Sequence, residues 1–264
     1  MIGQEVILNQ FAGKTLQTFP KTIMFLGDRG SGRHLLAKKL AANMEFEVKE
    51  ITKNITSEEL TSFMFSPIKT LYIIDIDEFI ERQQNQFLKF IEEPSDSVYI
   101  CIIASSDATV LPTILNRCLR YYLKPYTLEE LKAITQTDYI ELAYKVCNTP
   151  GKLLSIDISN LVDMYNDCKY LVLGLTNKPF ANTLLASTRI NYKENWDKYD
   201  YYTFFDMLEY VAYDAFIEGN VPQAFEVYKI VNWYKKNLCF KAAHKENLIY
   251  SLIIDIWKEA QTWK

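Results

Sequence analysis

A chain of 264 residues with 49% apolar content is long enough to bury more than one core, and its formal charge of −4 leaves no basic excess to hold DNA unaided. The five cysteines, Cys101, Cys118, Cys147, Cys168 and Cys239, form no Cys-x-x-Cys pair and have only His244 near one of them, so no metal site is expected and reduced cytoplasmic thiols fit best. The apolar run 71–80 is broken by Asp75, Asp77 and Glu78, far short of the roughly 20 residues of a membrane span, and no N-terminal signal is read.

In chain order, short apolar runs at 22–26, 46–51, 71–75, 98–104 and 119–123 predict strands. Helical patterns at 35–44, 57–65 and 83–93 lie between them, the last stopped by Pro94. Strict alternation of strand and helix predicts an α/β fold with a parallel sheet covered on both faces. Function in such a fold sits at the carboxyl ends of the strands. From Pro125 the pattern turns helical: Thr127 with Glu130 has the form of a capping box, and a second helix runs to about Val146 before the break Asn148-Thr149-Pro150-Gly151. Tyrosine, phenylalanine and tryptophan then accumulate from Tyr192 to Trp263, predicting a larger helical bundle. Gly219-Asn220 marks a stop inside it, with Pro222 expected in the first turn of the next helix.

Gly27-Asp28-Arg29-Gly30-Ser31-Gly32-Arg33-His34 follows a predicted strand and opens a helix, the setting of a phosphate-cradling loop of form G-x-x-x-x-G-K-[ST]. The glycines Gly27, Gly30 and Gly32 fit, and the N–H groups at the helix start favour an anion. Arg33, however, replaces the lysine, and its planar fork is not equivalent to a compact ammonium. His34 replaces the hydroxyl that ligates Mg²⁺. The apolar strand 71–75 ends at Asp75, as a Mg²⁺-holding strand should. The next position, where a glutamate would polarise water, is Ile76. Asp77 and Glu78 are read as a solvated acidic turn.

Four segments in order carry a resemblance: Ile2-Gly3-Gln4-Glu5, the glycine loop, Asn85-Gln86-Phe87-Leu88-Lys89-Phe90-Ile91-Glu92-Glu93-Pro94, and Leu111-Pro112-Thr113-Ile114-Leu115-Asn116-Arg117-Cys118. Together they resemble the bacterial DNA polymerase III clamp-loader subunits of the AAA+ family, and among these the delta-prime type. Thr149-Pro150-Gly151-Lys152 resembles that family's sensor 2 segment. The resemblance implies three domains: a AAA+ nucleotide-binding-like domain at 1–123, a helical lid at 124–157 and a helical collar at 158–264. It implies membership of a hetero-pentamer that opens a sliding clamp and places it on primed DNA. It also implies that Arg117 enters a neighbour's ATP site as an arginine finger, while this chain has no ATPase activity of its own. Asn116 for the motif's serine, the missing four-cysteine insertion and a spacing one residue short between Asp75 and the helix depart from the pattern.

The residues of a degenerate nucleotide site would be Gly27, Gly30, Gly32, Arg33, His34, Asp75, Ser105 and Lys152, with ATP or ADP the candidate ligand and no cofactor required. Ser105 and Ser106 follow a strand where the family has its sensor 1 threonine, and serine there is also ordinary turn chemistry. Phe63, Met64 and Phe65 end a helix, and the cluster reads either as core or as a tip that touches a partner. Two other readings compete with the scaffold subunit. An active AAA+ ATPase such as a helicase loader needs the missing lysine and glutamate, and a clamp-opening delta subunit needs no finger at Arg117.

Overall fold

The computed structural model describes residues 2–175, 178–182, 201–238 and 245–263. Strands β1 (Thr22–Leu26), β2 (Glu47–Ile51), β3 (Thr70–Asp75), β4 (Val98–Ala104) and β5 (Leu119–Tyr122) form one parallel sheet in the order β2-β3-β4-β1-β5. The three central strands are buried on both faces, which is why they read as unbroken apolar runs rather than as alternation. Strand periodicity sorts their side chains into two cores. Met24, Leu26, Tyr72, Ile74, Ile100 and Ile102 meet α3 (Ser57–Phe63), α5 (Leu88–Glu92) and α6 (Pro112–Leu115) on one face. Ile23, Phe25, Leu71, Ile73, Cys101 and Ile103 meet α1 (Glu5–Phe11) and α2 (Arg33–Asn43) on the other. Each such side chain taken from water contributes about 2 kcal/mol.

Register brings the carboxyl ends level. Leu26 pairs with Ala104, and Asp75 pairs with Ile103, so Gly27, Ile76 and Ser105 leave the sheet side by side. The predicted helix 83–93 is divided into α4 (Glu81–Gln84), a 3₁₀ turn Asn85–Phe87 and α5. The division follows from Gln84, a buried amide whose Nε2 donates to Phe79 O (3.3 Å) and Thr109 O (2.8 Å) while its Oε1 accepts Leu111 N–H (3.0 Å). Those bonds fasten the segment to the strand-end loops, away from a straight axis.

The described chain forms two compact units. The first comprises Met1–Gln136 with Thr149–Leu154, the second Thr137–Asn148 with Ser155–Lys264. Residues 124–157, expected as one lid, are therefore shared. The capping box at Thr127 and Glu130 opens α7 (Leu128–Ile134) in the first unit. Helix α8 (Ile140–Val146) belongs to the second, and α9 (Pro150–Ser155) begins in the first, where Thr149 and Gly151 bond the glycine loop.

The second unit also contains α10 (Ile158–Leu173), α11 (Tyr201–Ile217), α12 (Ala224–Leu238) and α13 (Lys245–Ala260), packed through buried Phe204, Phe205, Val231, Leu252 and Ile256. Helix α11 stops before Gly219-Asn220, Asn220 taking a left-handed φ of 50°, and Pro222 precedes α12 rather than standing in its first turn. Cys101, Cys147 and Cys168 are buried and in no disulfide among the described residues, whereas Cys239 and His244 lie outside those residues. No helix among the described residues is long and apolar enough to cross a membrane.

Candidate functional site: a nucleotide-type loop and a rim arginine

The loop between β1 and α2 takes the shape its glycines predict. Gly30 and Gly32 adopt φ of 84° and 89°, a region side chains resist, and Gly32 is the residue that leads into α2. The loop's carbonyls are already taken within the chain. Thr149 Oγ1 donates to Arg29 O at 3.0 Å, Gly151 N–H to Gly30 O at 2.9 Å, and the Tyr126 hydroxyl to Ser31 O at 2.9 Å. The approach of α9 is so close that a Cβ on Gly151 would stand 2.6 Å from Gly30 Cα. Lys152 follows directly in α9, its side chain exposed.

Arg33, the first residue of α2, is only 5% exposed, and its Nη1 lies 3.4 Å from Asp77 Oδ2. Asp77 is a buried hub rather than part of a solvated acidic turn, which corrects the sequence reading. Its Oδ2 accepts Ser105 N–H at 2.8 Å and the Ser105 hydroxyl, and its Oδ1 accepts Thr109 Oγ1 at 3.0 Å. The cause is the 3₁₀ turn Ile76–Glu78, which sinks Ile76 into the core and points Asp77 back at α2 while Glu78 stays exposed. Ser105 is therefore bound to a carboxylate of its own chain.

Burial pushes the Asp75 carboxyl above its ordinary range. The neighbouring Asp77 charge adds to the rise, and Arg33 and His34 oppose it. Asp75 Oδ1 and Ser31 Oγ are buried without a hydrogen-bond partner. His34 is half-buried beside them. These residues do not fit a hydrolytic Mg·ATP centre. Arg33, at the motif's lysine position, is neutralised by Asp77, an imidazole stands where Mg²⁺ needs a hydroxyl, and buried Ile76 offers no carboxylate to activate water.

Arg117 occupies a different edge. Pro112, pre-set for a first helical turn, starts α6, and Arg117 follows it on an exposed turn before β5. Because β5 runs parallel to β1, with Ile23 paired to Leu119, Arg117 lies at the amino end of the sheet and the glycine loop at the carboxyl end. About 15 Å of strand, at roughly 3.3 Å per residue, separates the two levels. Arg117 Nη2 meets Glu92 Oε1 at 2.5 Å, and its Nη1 donates to Thr113 O at 2.8 Å. Neither Asp77 nor Gln84 was singled out as a site residue by the sequence. A glutamine in a polar stretch and one acid of an acidic pair carry no pattern that separates them from solvated neighbours.

Of the cluster read either as core or as a tip, Met64 is buried, Phe63 is half-buried and stacks on Tyr72 with ring centroids 5.0 Å apart, and Phe65 is exposed, at 73%, with Ile68 exposed three residues on.

A parallel sheet of this strand order, a glycine loop after β1, an aspartate closing β3 and helices after β5 have the form of a AAA+ fold. A family model described as DNA polymerase III, delta subunit, matches residues 43–127. The tau subunit of DNA polymerase III from Escherichia coli is 27% identical over 168 residues, covering 50% of this chain and 26% of that protein. The delta' subunit from Buchnera aphidicola is 28% identical over 139 residues, covering 51% of this chain and 39% of that protein. The match thus spans well under half the length of either relative. A crystal structure of a DNA polymerase III gamma subunit-related protein from Thermotoga maritima has the same fold, with TM-score 0.52 at 15% identity, covering 98% of this chain and 100% of that one. The chain has a AAA+ fold and is similar, over about half of its length, to subunits of DNA polymerase III.

Proposed function

We propose that the chain is a delta-prime-like clamp-loader subunit, which supplies Arg117 in trans to a neighbouring subunit's ATP site and hydrolyses no ATP itself. The observation that carries this reading is the buried Arg33–Asp77 pair, which neutralises the cation at the motif's lysine position and holds it against the carboxylate that also binds the sensor-like Ser105. An active helicase loader is disfavoured by the same pair.

Arg117 acts on a γ-phosphate, where charge spreads over the phosphoryl oxygens in the transition state and a guanidinium from outside the loop is effective only in a closed interface. Its own loop stands at the other end of the sheet, so the phosphate belongs to a neighbour. Partners of this reading are the other subunits of a hetero-pentamer, the sliding clamp and primed DNA, with Phe65 as the candidate clamp contact. ATP or ADP is not required by this chain.

The test uses a reconstituted loader in which only the neighbour's site can turn over. Arg117→Ala is expected to lower that site's turnover by about 10³-fold without loss of assembly. Equal rates in fully assembled complexes would refute the role. Turnover by the isolated chain that vanishes on Asp75→Ala would refute the claim that it is no ATPase. For Phe65, substitution to Ser is expected to weaken capture of the clamp at unchanged stability, and unchanged capture removes the contact.

A further inference from the structure

An arginine that acts in trans has to be aimed before the neighbour arrives, because a long side chain wandering over a surface presents its fork in the right direction only part of the time. The structure contains a device that does this. Two nitrogens of the Arg117 guanidinium are held by two separate elements: Nη2 by Glu92 Oε1 at 2.5 Å and Nη1 by Thr113 O at 2.8 Å. Glu92 is the last residue of α5, whose Phe90 and Ile91 are buried in the core, and Thr113 belongs to α6, anchored by buried Ile114. The fork is therefore fastened to the two core-packed helices at its base. Of its five N–H donors these contacts use two, and the remaining three are left for an incoming oxyanion.

We propose that Glu92 is a positioning residue for Arg117: it holds the guanidinium at the rim in the orientation that meets the γ-phosphate of a nucleoside triphosphate bound by the adjacent subunit. The inference rests on the trans-acting role given to Arg117 above. The exposure of the pair suits the task. Both side chains are about two-fifths accessible, 39% for Arg117 and 41% for Glu92, so water screens the attraction and the contact orients the arginine without cancelling its charge. Glu93, the next residue, is exposed as well and caps the end of α5, and it provides an internal control of equal charge.

The experiment measures ATP turnover in the assembled loader with only the neighbour's site competent, comparing the parent chain with Glu92→Gln, Glu92→Asp, Glu93→Gln, Arg117→Ala and the double variant Glu92→Gln/Arg117→Ala. Glu92→Gln is expected to lower kcat on the order of 10-fold while KM for ATP stays put, since the nucleotide is held by the neighbour's own loop. Glu92→Asp should recover part of that loss, Glu93→Gln should match the parent, and the double variant should be no slower than Arg117→Ala alone. Assembly is checked by co-elution and the first unit's stability by urea titration, so that a misfolded variant is recognised, with Glu92→Asp as the milder replacement. If Arg117→Ala is slow but Glu92→Gln runs at the parent rate or faster, positioning by Glu92 is overturned and the finger role stands. If Glu92→Gln slows the Arg117→Ala background further, or Glu93→Gln slows the parent as much, Glu92 acts through general charge or fold and the proposal is likewise overturned. If Arg117→Ala is as fast as the parent, the finger role and the positioning fall together.

Discussion

Removing the carboxylate of Asp77 is the sharpest perturbation this fold offers, because a charged group on the inside loses its partner. Arg33 is 5% exposed and the Asp77 side chain 6%, so in Asp77→Ala the guanidinium stays buried with no counter-charge. Leaving one member of a buried ion pair alone costs about 3 kcal/mol or more. Ser105 N–H, the Ser105 hydroxyl and Thr109 Oγ1 lose their acceptor at the same time, and such groups cost about 1 kcal/mol each unless water reaches them. The contributions overlap, and water can reach the exposed Thr109 side, so a net loss of about 3–4 kcal/mol is expected.

The assay is urea unfolding followed by far-UV circular dichroism. Tryptophan emission is unsuited, since all four tryptophans lie beyond residue 195 while Asp77 belongs to the first unit. A second variant isolates the cause. Arg33→Met/Asp77→Ala removes both charges and should recover a large part of the loss. A loss below about 1 kcal/mol for Asp77→Ala, or no recovery in the double variant, would refute the claim that the pair is buried and coupled.

Gly151→Ala drives a Cβ to 2.6 Å from Gly30 Cα; it is expected to cost about 2 kcal/mol and to weaken hydrogen-exchange protection of the Gly151 amide, which bonds Gly30 O. Gln84→Ala strips three hydrogen bonds from the segment between α4 and the loop before α6, with an expected cost of about 2 kcal/mol in urea titration and earlier exchange at the Leu111 amide. Asp75 gives a pH signature. Its folded-state pKa is raised above the ordinary 3.8, chiefly by burial, so the proton is bound more tightly in the folded chain. The stability linked to it is present below 3.8 and lost as pH rises through the folded value. Asp75→Asn should therefore be more stable than the parent near pH 7, with the gap closing toward about pH 4; a gap that widens on acidification has the wrong sign.

The sheet and its loop were legible in the sequence because their determinants are local. Five apolar runs, two glycines at left-handed positions and a proline starting α6 each act within a few residues, and periodicity reports them directly. The capping box at Thr127 and the clamp-loader resemblance of the segments around Glu92 and Arg117 are likewise short-range patterns. The pairings of the site were not legible. Arg33 meets Asp77 across 44 residues, and Thr149 reaches Arg29 across 120. Strand register alone brings the ends of β1, β3 and β4 level, and no local pattern states it. From sequence, Asp77 is one acid of an exposed-looking pair and Met64 one member of a cluster that reads either as core or as a tip. The 3₁₀ turn that buries Ile76 makes Asp77 a hub, and the core face of α3 absorbs Met64. What the sequence determined is the kind of element each segment forms, since backbone propensity and apolar period are properties of neighbours in the chain. Which charge faces which was decided only by the tertiary structure, because burial and electrostatic partnership depend on distances in space that covalent spacing does not contain.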